Sequence, residues 1–372
     1  MGGSVTQLID EISFIPLEST PISAFGTIDQ LEITDNFFII LDEQTNAVLI
    51  FDKAGNFHAK INGSKIGYGE QLRMYAFFMD KANGLIQIPF DKILFCYDYD
   101  GNLIKKIGAY NDGLLFNFND KQTAYYSYNV DKRYPDSIAY ELTVTTKDGK
   151  NPRNYFPYNL KLANLKRQDL LYSLHSNFYP LDDSSGYFLH TYDYTIYRLG
   201  PNSLDTAYRF IFPMQASLPE KFISDSSFNY KRIHFLQENK KIIYGLTNTF
   251  STKNNLSFKL LSYDMNESSY IYNFTSQDLI CIEKIYPDSN SFFLPITDVN
   301  VGGTEFMTKG FLNTFDGYLY TSYSSLTLFR QKDATKMKNP DYPPSLSRYF
   351  SNKQNEKGNP VIVQIKFKTG YN

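Results

Sequence analysis

The chain has no tryptophan, only two cysteines and four histidines, and no block of like charge. Each shortage excludes something. Lys and Arg number 37 against 39 Asp and Glu, a net charge of −2, so the concentrated basic face that neutralises phosphates is missing and nucleic acid is not an expected partner. The longest apolar runs, such as FFIIL (Phe37 to Leu41), fall far short of the roughly 18 residues of a spanning helix. Cys96 and Cys281 both sit in apolar strand-like stretches and are expected to be buried free thiols. No H-E-x-x-H, G-x-S-x-G, Walker loop or C-x-x-C occurs, so no metal site, cofactor or catalytic residue is expected. The chain opens on MGGS and passes directly into strand-like sequence, with no visible signal peptide.

What the chain has instead is aromatic residues, 31 Tyr and 31 Phe in 372 residues, a load that suits strands. A search for internal repeats organises them. Residues 28–62 read as four short alternating segments, and 72–108 repeat the plan. The third-strand ending YDYDGNLIKKIG (Tyr97 to Gly108) parallels IFDKAGNFHAKIN (Ile50 to Asn62). Weaker copies follow at 114–158, 176–213 and 228–275, the last beginning with FNYKRIHFLQEN as its first strand.

A sixth unit spans 310–368 but holds only three strands: GFLNTFDG, YLYTSYSSL (Tyr318 to Leu326) and PVIVQIKFK (Pro360 to Lys368). Its missing strand is available at the other chain end, where EISFIPLES (Glu11 to Ser19) has no partner of its own. Pairing the two ends removes the exposed edges an open stack would leave. The expected fold is therefore all-β: one domain over 1–372, a six-bladed β-propeller of four-stranded antiparallel blades closed by its terminal strands. QASLPEKFISDSSF (Gln215 to Phe228) and the segment Asp333 to Asn359 read as helical or irregular insertions on its rim or faces.

Several segments together carry a family resemblance: FIPLES (14–19), FDKAGNFHAKI (51–61), GSKIGYGE (63–70), TIYRL (195–199), LPE (218–220) and NPVIVQIKFK (359–368). The chain resembles the six-bladed propellers, related to NHL and TolB-like proteins, of Gram-negative gut anaerobes. It departs from them at Tyr68, where a proline would be usual. The resemblance implies export or lipid anchoring, hence a periplasmic or cell-surface location, and a link to glycan or nutrient acquisition. It implies no catalytic residues.

Propeller loops converge on a central pocket. The candidate ligand-binding residues there are Tyr68, Glu70, Arg73, Tyr75, Tyr126, His175, Tyr179, Arg232, His234 and Lys309. Aromatic faces beside polar groups would suit a carbohydrate, a peptide or a protein partner bound by a monomer. The competing expectation is that these rings simply fill inter-blade cores. His175 and His234, read as lying in or before first strands, carry the alternative of a channel hydrolase or lyase. DYDGN (Asp98 to Asn102) has a calcium-loop look, but Ile107 stands where a bidentate Glu is required, so a hairpin turn is expected. The strings at Asn62, Asn255, Asn266 and Asn273 match the N-glycosylation pattern, as an Asn-rich chain does by chance.

Overall fold

A computed structural model describes residues 1–65, 73–90, 92–108, 114–118, 122–126, 133, 137–146, 148–167, 178–182, 184–264 and 268–371. The fold is all-β and propeller-like, with six four-stranded antiparallel sheets and one short parallel pair, Gly3–Ser4 with Ile285–Tyr286. Sheet 1 runs Gln30–Ile33, Phe37–Asp42, Ala47–Asp52, Phe57–Asn62, and sheet 2 runs Phe78–Asp80, Leu85–Phe90, Ile93–Tyr97, Leu103–Ile107. Sheet 3 holds Leu114–Asn117, Gln122–Tyr126, Ala139–Thr146, Arg153–Tyr158, and sheet 4 holds Phe178–Asp182, Ser185–Leu189, Thr195–Leu199, Leu204–Arg209. Sheet 5 is Gly245–Ser251, Asn255–Leu261, Ser269–Asn273, Leu279–Cys281. Sheet 6 draws on both chain ends: Asn313–Phe315, Tyr318–Tyr323, Val361–Phe367 and, outermost, Ile9–Pro16. The two orphan strands of the sequence do pair, antiparallel, from Ile9 opposite Phe367 to Pro16 opposite Val361.

The middle strands read as continuous apolar runs because both of their faces are covered. In sheet 1, alternate residues sort to opposite sides. Ile39, Leu41, Val48 and Ile50 join the core of sheet 2 with Phe77, Ile86 and Phe95. Phe38, Ile40, Leu49 and Phe51 instead pack with Tyr320 and Ile362 of sheet 6. Sheet 1 is thus held between the second sheet and the last.

The repeated hairpins have one chemistry. Asp52 Oδ1 accepts from the backbone N–H of Ala54 (2.9 Å) and Asn56 (2.8 Å). Asp98 Oδ1 accepts from Asp100 (3.0 Å) and Asn102 (2.8 Å) in the same way. Each turn needs a left-handed residue, supplied by Gly55 (φ +87°) and Gly101 (φ +81°). A Cβ on Gly55 would also lie 2.3 Å from the Pro16 carbonyl oxygen. Asp98 is spent on turn amides, which makes DYDGN a hairpin.

Neighbouring sheets are tied by side chains of their leading strands. Gln30 exchanges hydrogen bonds with the backbone of Phe77, linking sheets 1 and 2. Asn117 donates to Met79 O (3.0 Å), linking 3 to 2, and the Tyr179 hydroxyl meets Thr247 Oγ1 (2.8 Å), linking 4 to 5. Asn248 bonds the backbone of Phe311, and Asn313 donates to Leu31 O (2.7 Å), carrying the series through sheet 6 back to sheet 1. Phe116 stacked on Phe178, centroids 5.7 Å apart, joins sheets 3 and 4.

Two elements differ from the sequence expectation. FNYKRIHFLQEN is not a first strand: Arg232–Glu238 is an α-helix, with Arg232 and Leu236 buried four residues apart on one face. Sheet 5 therefore starts one segment later, at Gly245, and finishes with Leu279–Cys281. YLYTSYSSL also stops early, because Ser324 caps a helix over Ser325–Ala334. Cys96 and Cys281 are buried and form no disulfide. Asn255 and Asn273 are buried and bonded to each other, which removes them as glycan acceptors, while Asn266 lies outside the described residues.

The aromatic load sets an alkaline limit. Burial pushes the phenols of Tyr197, Tyr208, Tyr349 and Tyr371 up to about 12. Groups raised on folding contribute stability that is complete below their unfolded value near 10 and is lost as pH climbs toward 12. Stability against urea is expected to fall steadily between these limits, with tyrosinate absorbance of these side chains appearing together with loss of structure. Flat stability across that window would contradict it.

Candidate functional site

Antiparallel alternation puts the connections after first and third strands at one end of every sheet, and those after second and fourth strands at the other. The first end is made of tight turns such as 34–36, 53–56, 98–102, 200–203 and 316–317. Among the described residues the second end carries the long connections 17–29, 210–244, 282–312 and 324–360, together with the described parts of 63–77 and 159–177. The α-helices Leu160–Arg167, Arg232–Glu238, Glu305–Lys309, Ser325–Ala334 and Pro344–Ser351 belong to it.

Exposed apolar residues follow the same division. Ile22, Tyr75, Ile211, Met214, Tyr230 and Met337 are exposed and all lie in connections of the second end. Among the described residues the tight turns of the first end expose no large apolar side chain. Tyr230 is 78% exposed and has φ +60°, a left-handed conformation that is costly for a bulky residue. Tyr75 is 69% exposed. No local pattern in the sequence marks Tyr230, Ile211 or Met214 as exposed.

The sequence-derived candidates separate into three groups. Arg73 and Tyr75 are exposed at the second end. Tyr68, Glu70 and His175 lie outside the described residues. The others are engaged in the fold. Tyr126 is buried against Phe178 and Phe188 between sheets 3 and 4. Tyr179 is buried, and its hydroxyl also accepts from the Asn248 N–H (2.9 Å). Arg232 is buried and donates to the carbonyls of Phe222 (3.1 Å) and Ile223 (2.9 Å), pinning the 210–244 connection to itself. His234 is placed on the helix rather than on a channel strand, its exposed ring 3.5 Å from Glu238 one turn on.

Lys309 occupies the most polar of these positions. Its ammonium donates to Ile28 O (2.7 Å) and Asp29 Oδ1 (3.0 Å), tying the helix Glu305–Lys309 to the approach of sheet 1. Burial works to raise the Asp29 carboxyl, but the Glu43 N–H and the Lys309 ammonium outweigh it and hold Asp29 below its usual value. Burial raises Glu305, with Asp298 and Asp29 adding to the effect and Lys309 opposing it. The Glu305 Oε2 atom is buried with no hydrogen-bond partner among the described residues.

One couple was given little weight by the sequence. His190 Nε2 lies 2.6 Å from Glu141 Oε2, both side chains largely buried between sheets 3 and 4. Phe156, at φ +56°, stacks on the imidazole with centroids 4.7 Å apart. The pairing joins residues far apart in the chain, so strand alternation alone marks His190 only as a packed residue. Among the described residues no three His, Cys, Asp or Glu side chains gather as a metal site, and no helix is long and apolar enough to cross a membrane.

A family model described as "Domain of unknown function (DUF4934)" matches residues 4–366. Among solved structures, the chain is similar to a "Putative exported protein" of Bacteroides fragilis, 16% identical, with 99% of each chain covered and a TM-score of 0.71. It is also similar to a DUF4221 family member of Bacteroides vulgatus, 11% identical, with 97% of each chain covered and a TM-score of 0.50. No curated protein matches the sequence.

Proposed function

The chain belongs to the DUF4934 family, and on that premise we propose that it is a non-enzymatic binding or scaffolding protein of the bacterial envelope, built as a closed six-bladed propeller. The ligand is a carbohydrate, a peptide or a protein held by the end that carries the long connections. The carrying observation is that, among the described residues of the inter-strand connections, the exposed large apolar side chains are confined to that end. Singly exposed apolar residues are ordinary; their one-sided distribution is not. Tyr75 and Tyr230 offer ring faces for sugar or peptide stacking, and Arg73 supplies donors beside Tyr75. Similarity to a protein whose name includes "exported" supports placement outside the cytoplasm.

Glycan and peptide arrays probed with purified protein test this reading. Tyr75→Ala and Tyr230→Ala are each expected to weaken the best array ligand about tenfold, close to 1.4 kcal/mol. Lys253→Ala, in a tight turn of the opposite end, is expected to leave it unchanged. Silence on both arrays, with turnover of a sugar or lactone, would defeat the proposal. The alternative of a hydrolase or lyase has the Glu141–His190 couple in its favour, since a carboxylate-oriented imidazole is a general-base arrangement. It requires that any such turnover disappear in His190→Gln.

A further inference from the structure

The outer strand of sheet 2, Leu103–Ile107, is exposed at each of its five residues, including the aliphatic side chains of Leu103 (46%), Ile104 (55%) and Ile107 (38%). It pairs with Ile93–Tyr97 on one side and with no described strand on the other. The remaining outer strands are managed differently. Those of sheets 1, 3, 5 and 6 each bury at least one residue, and that of sheet 4 exposes no large apolar side chain. A bare edge with apolar side chains is a template for another strand.

The molecule satisfies one such edge itself. The Met1 amine donates to Leu279 O (3.0 Å) and Met1 O accepts from the Cys281 N–H (2.9 Å), so the first residues lie along the outer strand of sheet 5. Sheet 2 has no such cover among the described residues. We propose that its Leu103–Ile107 edge is a docking site for an extended, acidic segment of a partner protein, which adds to the sheet as a fifth strand.

Charge selects the partner. Lys105 and Lys106 stand at the middle of the strand, and Leu103–Ile107 contains no acid. The Lys106 ammonium lies 4.8 Å from the Phe95 ring centroid. The nearest preceding acid, Asp100, is engaged by His58 at 2.7 Å. A second copy in an antiparallel pair centred on this strand would set Lys105 directly against the same lysine of the other copy, a destabilising like-charge opposition. Lys105 and Lys106 are consecutive and face opposite sides of the sheet, so an incoming strand with two consecutive acids flanked by Val and Ile sets one acid beside each lysine and aliphatic side chains beside Leu103, Ile104 and Ile107. This site is separate from the loop end, so either proposal can fail alone.

The test uses three fluorescently labelled heptapeptides with the whole chain: Thr-Val-Glu-Glu-Ile-Val-Thr, its counterpart with both Glu replaced by Lys, and the acidic peptide with proline in place of its Ile. The acidic peptide is expected to bind about tenfold or more tighter than the other two, and to weaken as salt rises. The double variant Lys105→Glu, Lys106→Glu is expected to reverse the preference toward the Lys peptide, which also reports that it has folded. Absence of acidic-peptide binding, binding that survives the proline, or a homodimer broken by Ile107→Lys overturns the proposal.

Discussion

Deletion of residues 1–16 is expected to abolish cooperative folding. The lost strand supplies the whole outer edge of sheet 6, from Ile9 opposite Phe367 to Pro16 opposite Val361. Val5, Leu8, Ile9 and Phe14 leave the core with it. At about 1.5–3 kcal/mol for each large buried side chain, the loss approaches the ~5–15 kcal/mol that holds a typical domain together. The deletion also bares Val361–Phe367, a strand with five buried residues of seven, as an aggregation-prone edge. Circular dichroism melts and sedimentation should show a non-cooperative or aggregated chain. A synthetic peptide of residues 1–18 should restore part of the transition. A truncated chain melting within a few degrees of the intact protein would show that the terminal pairing is dispensable.

The second large effect is expected at the junction of sheets 5 and 6. Asn248 has φ +51°, accepts from the Phe311 N–H (2.7 Å), and donates to Lys309 O (3.0 Å) and to Phe311 O. Its own N–H reaches the Tyr179 hydroxyl, so one residue ties sheets 4, 5 and 6. Gly310 makes the approach achievable: φ is +70°, and a Cβ there would sit 2.3 Å from Asn248 Oδ1. Asn248→Ala leaves a buried N–H and two carbonyls unpaired and is expected to cost about 2–4 kcal/mol. Gly310→Ala adds backbone strain to loss of the same bonds and is expected to cost about 3 kcal/mol or more. Both act on one clamp, so the double variant should be well short of the sum. Urea melts of the three proteins give the cycle; full additivity would mean that the clamp is not a unit.

The Asp-and-Gly hairpins and the alternating segments were legible because turn chemistry and the strand period are local properties. Asp52 and Asp98 mark their turns with nothing more than the next four residues. Ile9–Pro16 and Val361–Phe367 could be matched at a distance only because each lacked a partner nearby. The helix Arg232–Glu238 is hidden in the sequence for the opposite reason: FNYKRIHFLQEN is aromatic enough for a strand, and only the burial of Arg232 and Leu236 on one face reveals its period.

The candidate site divides along the same line. That this chain is all-β, repeats a four-stranded unit and needs its two ends together follows from sequence by itself, since periodicity, turn residues and unmatched strands are written in order along it. Which polar and aromatic residues remain free for a ligand was decided only in three dimensions. Tyr179 finds Thr247 across 68 residues, and Lys309 finds Asp29 across 280. A buried hydroxyl or ammonium must be paired, and no local pattern says whether its partner is a ligand or the next sheet. The packing made them junctions, and left Tyr75, Tyr230 and the Leu103–Ile107 edge facing outward.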